Sequence, residues 1–180
     1  MRKGEGTIMA EIESGLGNLF LDTVKEELSR IKVRAEKAIA QVRDDRQLHA
    51  KPDAESNSIA SIVTHLSGNM LSRWTDFLTT DGEKPSRRRD AEFEPPETMT
   101  RTELLAAWEQ GWACLFNAVD ALTPADLRAT VRVKSEEFSA LEAIVRQFSH
   151  YASHIGQIVF LAKHLEWERW QSLSVPRRKS

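Results

Sequence analysis

The apolar positions of this chain fall into four long helical rhythms separated by polar stretches. From about Leu16 to Val42, Phe20, Val24, Leu28, Ile31, Ala35, Ala38, Ile39 and Val42 recur at three- and four-residue spacing. Lys25, Glu26, Glu27, Arg30, Lys32, Arg34 and Lys37 fill the other side, so the pattern predicts one long amphipathic helix with a single buried stripe. Residues 1–10 carry no such stripe and are expected to form a flexible tail, in which Met9 offers an alternative start. Residues 11–180 are expected to form one domain. Asp44–Arg46 and Pro52–Asp53 read as a connecting loop.

The second rhythm opens at Ser56-Asn57-Ser58, a cluster of good N-cap residues, and runs to about Leu78. Ile59, Ile62, Val63, Leu66, Met70, Trp74 and Phe77 form its stripe, and His65 sits at the edge of it. Thr79 to Thr98 is polar, with Gly82, Pro85, Pro95 and Pro96 and a run of Arg87, Arg88 and Arg89 beside Asp90, Glu92 and Glu94. Such a run reads as a solvated, self-compensating loop rather than a phosphate or nucleic-acid patch. Its length also marks it as a segment that covers a site or an interface.

The third helix starts at a capping box, Thr100 to Glu103, and continues through Leu104, Leu105, Trp108, Trp112, Leu115, Phe116 and Val119. Trp108 and Trp112 are expected in the core or an interface. Thr123-Pro124 starts a short helical turn, and Thr130 to Glu137 reads as extended or irregular. A second capping box, Ser139 to Glu142, opens a fourth helix that runs to about Leu165. The tail after it is expected to be solvated and docked by Trp167 and Trp170. Four long helices without a strong strand predict an all-α protein built as a four-helix bundle.

Composition narrows the function classes. Hydrophobic residues make up 41% and charged residues 29%, as in an ordinary soluble domain. The 25 basic and 27 acidic side chains leave a net charge of −2, which lacks the basic excess of nucleic-acid binders. No apolar run reaches the length of a membrane span and no signal peptide is seen. Cys114 stands alone, so no internal disulfide forms, which suits a cytoplasmic protein.

The candidate chemistry lies in the fourth helix. His150 and His154 are four residues apart and share one helix face, so both imidazoles can reach one point. A buried histidine bonded to a backbone carbonyl would give the same spacing. A third ligand is required for a firm metal site, and His65 on the second helix is the best candidate. Three imidazoles suit Zn, Ni, Fe or Cu and leave open positions, as catalytic sites do. Asn69 and Arg73 follow His65 at one and two turns. They are candidates for polar contacts to a substrate, against the alternative of a helix-packing hydrogen bond and a surface ion pair. His49 lies in a loop and His164 is ten residues beyond His154, too far along the axis to share the ion.

The order of one histidine in the second helix and a His-x-x-x-His pair in the fourth resembles the DinB/YfiT-like metalloenzyme superfamily. Residues 64–70, 81–85, 90–93 and 150–157 (Thr64-His65-Leu66-Ser67-Gly68-Asn69-Met70, Asp81-Gly82-Glu83-Lys84-Pro85, Asp90-Ala91-Glu92-Phe93 and the His150 to Gln157 string) are similar to an uncharacterised bacterial branch of it. The resemblance implies an up-down-down-up bundle, often a homodimer. It also implies a divalent metal (Zn, Ni or Fe) held by His65, His150 and His154. Relatives include thiol-dependent S-transferases and a mycothiol-dependent isomerase. The expected function is therefore a metal-dependent hydrolase or thiol S-transferase acting on a small molecule, with a low-molecular-weight thiol as cosubstrate in the second case. The alternative is a non-catalytic dimeric metal-binding or interaction bundle.

Overall fold

A computed structural model describes residues 2–175. Its elements are α1 (Arg2–Ile39), α2 (Ile59–Trp74), α3 (Arg89–Glu92), α4 (Arg101–Asp120), β1 (Thr130–Val133), β2 (Glu136–Ser139) and α5 (Ala140–Leu165). Single 3-10 turns occur at Asp45–His49 and Pro124–Arg128. The protein is thus mostly helical, with a small two-stranded sheet. Among the described residues, no helix is long and apolar enough to cross a membrane.

The helix starts are set by side chains that satisfy free backbone N–H groups. Ser58 Oγ accepts from Ser61 N–H at 3.0 Å to start α2. Thr100 and Glu103 cap α4 reciprocally, and Ser139 and Glu142 do the same for α5. At its other end α2 stops at Trp74, four residues before the expected Leu78. Asp76 there takes a left-handed φ of 50°, which a continuing helix does not allow.

The helices pack as two main pairs, α2 on α4 and α1 on α5, and α2 also meets α5. One continuous core joins Leu28 and Ala35 of α1, Ile62, Leu66 and Met70 of α2, Trp108, Trp112 and Leu115 of α4, and Ile144, Ile155 and Ile158 of α5. Gly111 allows the close approach of α4 to α2, because a Cβ there would lie 3.0 Å from the Ser67 Cα. Trp108 is fully buried, and its Nε1–H donates to Glu36 Oε1 at 3.2 Å. Trp108→Ala is expected to cost about 3–5 kcal/mol in chemical denaturation. A loss below about 1 kcal/mol would contradict this packing.

Residues 2–10, expected as a flexible tail, are helical, and α1 runs unbroken into the predicted stripe. Ile8, Ile12 and Leu16 extend the four-residue spacing, so the amphipathic pattern begins earlier than its buried part. These three are exposed, as are Met9 and Leu19. At the other end Trp170 packs against the core, as expected, whereas Trp167, expected to dock with it, is exposed. The expected basic tail Pro176–Lys179 lies outside the described residues. Finally, the extended stretch after Thr130 is a regular hairpin, with Val131 opposite Phe138. Lys134 and Ser135 form its turn at φ 54° and 66°, the left-handed pair usually marked by Asn-Gly. Asp81 stabilises this turn from outside. Its carboxylate accepts from the N–H groups of Lys134 at 2.9 Å, Ser135 at 2.8 Å and Glu83 at 2.7 Å.

Candidate metal centre

The seam between α2 and α5 brings His65, His150 and His154 together. One ring nitrogen from each lies within 4.8 Å of the other two. Ring centroids are separated by 5.2 Å (His65 and His150), 5.0 Å (His65 and His154) and 4.7 Å (His150 and His154). His65 is buried, and the two α5 histidines are half-buried. Among the described residues no other His, Cys, Asp or Glu joins this group. His49 turns away, with Nε2 2.9 Å from the Met99 carbonyl. His164 is exposed on α5, and Cys114 faces Met70 and Thr75.

Hydrogen bonds select which nitrogen each ring presents. A carboxylate oxygen of Glu92 lies 3.0 Å from His65 Nδ1. An ionised carboxylate only accepts, so Nδ1 carries a proton, and the neutral tautomer that ligates metal is the one with its bare lone pair on Nε2. The Gln157 amide oxygen lies 2.8 Å from His154 Nδ1 and has the same consequence for that ring. His65 Nε2 and His150 Nε2 are 3.2 Å apart. Metal–nitrogen bonds of about 2.0–2.1 Å place neighbouring ligand atoms roughly 3–3.5 Å apart, so this spacing suits one shared ion.

Glu92 was missed as a site residue by the sequence reading, which placed it in a solvated loop. The loop does compensate its own charge, with Arg89 and Asp90 in solvent but Arg87 and Glu92 inside the protein. Arg87 donates to both Glu92 oxygens, from Nε and from a terminal nitrogen, at 2.8 Å each. The Arg87 and Glu92 side chains are only 4% and 10% exposed. Thr64 Oγ donates to the Glu92 carbonyl, and Phe93 stacks on His65 at 4.4 Å. Helix α3 is therefore a clamp on the outer side of His65. Gly68 makes room for it, since a Cβ there would fall 2.3 Å from Glu92 Oε1.

The two candidate substrate contacts are engaged within the protein. Asn69 Oδ1 accepts from the Tyr151 hydroxyl at 3.0 Å, and that oxygen accepts from Trp74 Nε1–H at 2.9 Å. This buried chain ties α2 to α5 beside His150 and so sets the spacing of the histidines. Arg73 donates to the Gly82 carbonyl and pairs with Glu83 at 2.8 Å.

Electrostatics keep the α5 imidazoles neutral. Burial, with unfavourable interactions between a protonated His150 and His154, His65, Arg87 and Arg73, lowers the His150 pKa from 6.5 to about 4. Burial also lowers that of His154, against the opposing hydrogen bond from Gln157. For Glu92 burial acts upward, but the bonds from Arg87 and His65 prevail and its pKa is lowered. Neutral imidazoles are the form that ligates metal. The metal-free protein should consequently lose stability in acid. An unfolded His150 takes up a proton near pH 6.5, whereas the folded one does so only near about 4, so acid favours the unfolded chain across that window. Glu92 acts in the same direction, since its stabilisation is lost as pH falls through a lowered pKa. Melting in the presence of chelator should show a falling Tm from pH 6.5 towards 4; a flat profile would contradict neutral burial of His150.

Two concavities flank the centre. A groove of about 590 Å³ between the start of α2 and α5 is lined by Asn57, Ile62, Ser153, Gln157, Phe160 and Leu161. It adjoins His154 through Ser153 and Gln157. A larger cleft of about 1160 Å³ lies behind Glu92 and Arg87, and none of the three imidazoles lines either concavity.

A three-imidazole cluster with one ring buried and two half-buried, in a mostly helical protein, is a site that could hold a metal ion. Residues 15–179 match the family model described as Protein of unknown function (DUF1572), and the chain belongs to that family. No curated protein and no solved structure matches the chain.

Proposed function

We propose that this protein is a metal-dependent enzyme acting on a small molecule, as a hydrolase or a thiol-dependent S-transferase. The observation that supports it best is the convergence of three imidazoles with no fourth protein ligand among the described residues. A divalent ion (Zn, Ni or Fe) held there by His65, His150 and His154 would supply Lewis acidity and open positions for a substrate oxygen or sulfur. The protein's own residues do the rest. Glu92 and Gln157 hold two of the rings in one tautomer, and the Trp74–Tyr151–Asn69 chain fixes their separation. The groove beside His154 is the place where the substrate docks, with Ser153, Asn57 and Gln157 as its polar contacts and Ile62 and Phe160 as its apolar wall.

The resemblance to the DinB/YfiT-like superfamily supports the same reading and adds an up-down-down-up four-helix bundle. We place the protein in the cytoplasm, where its lone thiol stays reduced. A second copy of the chain is the proposed partner, seated on the exposed apolar residues Ile8, Ile12, Leu16 and Leu19 of α1 and Leu141 and Val145 of α5. Light scattering at micromolar concentration should then give twice the 20.4 kDa chain mass; a monomer mass would sink the dimer.

The activity is tested by offering ester and amide substrates, and thiols with electrophiles, to the metal-loaded protein and to His150→Ala. Turnover that requires both metal and His150 is the expected result. Turnover that survives loss of the metal would refute the mechanism. A metal-loaded protein that binds ligands but turns over none would leave the non-catalytic bundle.

A further inference from the structure

Two of the three imidazoles have an acceptor on their outer nitrogen, Glu92 for His65 and Gln157 for His154. His150 Nδ1 is buried and has no hydrogen-bond partner among the described residues. Gln147 Oε1 and Arg73 Nε share that condition. The three residues lie on the two helices that form the site, Arg73 on α2 and Gln147 and His150 on α5. Gln147 precedes His150 by three residues on α5, which places both on one helix face. Gln147 and Arg73 line the same small void, of about 10 Å³, with Ala143 and Gly82. Such a void holds about one water molecule.

The donors and acceptors balance once Nε2 of His150 faces an ion. The single proton of the neutral ring must then sit on Nδ1, which becomes a donor. Arg73 Nε–H is always a donor. Gln147 Oε1 is an acceptor with two lone pairs. The set thus holds one unpartnered acceptor and two unpartnered donors. A metal-ligating histidine almost always donates its other N–H to a carboxylate, a carbonyl or a water.

We propose that Gln147 is the outer acceptor for His150. With an ion bound, its amide oxygen accepts from His150 Nδ1–H, and from Arg73 Nε–H directly or through one water seated in the void that Arg73 and Gln147 share. Gln147 is a positioning residue: it acts on the ion through His150 and fixes the tautomer of that ring. Arg73 holds Gln147 from the α2 side, which gives its buried Nε a role beyond the ion pair with Glu83. The inference rests on the three-histidine site proposed above.

The test uses zinc, the full chain and two substitutions of similar size. Gln147→Met removes the acceptor and Gln147→Glu keeps it. Zinc affinity, measured by competition with a chromophoric chelator, should fall roughly 10–100-fold in Gln147→Met and return to the wild-type range in Gln147→Glu. Ring-nitrogen NMR of the zinc-loaded wild type should show His150 bound through Nε2 with a protonated, exchange-protected Nδ1. That measurement needs no variant, so misfolding of Gln147→Met would not shelter the proposal. Equal zinc affinity in wild type and Gln147→Met, or His150 bound through Nδ1, would overturn the role of Gln147 alone. A wild type that binds no zinc at the three histidines would overturn this role and the site together.

Discussion

His65→Ala is expected to abolish stoichiometric metal binding while leaving a folded helical protein. His65 is the one ligand that comes from α2, so without it the α5 pair His150 and His154 is left with two nitrogens and no partner across the seam. Structural zinc sites release about 10–16 kcal/mol through four ligands, so losing one ligand should weaken binding by roughly two to three powers of ten. The backbone at His65 is held by its neighbours rather than by its ring. Leu66 and Ile62 are buried in the core, and the Asn69–Tyr151–Trp74 chain persists without the imidazole. Elemental analysis of protein purified under metal-replete conditions checks the outcome. Wild-type metal content in His65→Ala would show that α2 contributes no ligand.

The second large effect is expected at Glu92, which has two tasks. It orients His65, and it neutralises the buried Arg87. Glu92→Ala should weaken metal binding roughly 10–100-fold through the loss of the outer-ring acceptor. It should also destabilise the metal-free protein by about 3–5 kcal/mol, because a nearly buried guanidinium loses its bidentate partner. Glu83, 3.5 Å from Arg87, offsets part of that cost. Gly68→Ala separates the two tasks. The new methyl displaces the Glu92 carboxylate without removing its charge. Metal affinity should therefore fall in both variants, with the smaller loss of stability in Gly68→Ala. Wild-type affinity in Glu92→Ala would show that the carboxylate at His65 Nδ1 does not set the ring.

How much of this was legible along the chain depended on how local each signal is. The α2, α4 and α5 starts were readable because Ser58, Thr100 and Ser139 act on N–H groups two or three residues away. His150 and His154 were readable because helix geometry alone puts them on one face. His65 could be nominated from its place in a second apolar rhythm. Glu92 could not, because it meets His65 across 27 residues of chain, through a loop whose charges looked solvated. The excess length of that loop was the one available sign that it covers something. Gln157 was visible as the third residue after His154, but nothing in the pattern showed that its amide would turn to the ring. The hairpin escaped because Lys134 and Ser135 are not typical turn residues, and the groups that hold the turn come from Asp81, more than fifty positions earlier. The early start of α1 escaped because amphipathic reading follows buried stripes, and Ile8, Met9 and Ile12 are exposed.

The central claim is that one divalent ion sits on three imidazoles. It is tested most directly by an anomalous difference map from a crystal of the protein loaded with zinc. The account predicts one strong peak per chain, at about 2.0–2.1 Å from Nε2 of His65, His150 and His154, with no other protein ligand. A map with no peak there, or with the ion held by other residues while the three rings bond only to one another, would contradict it.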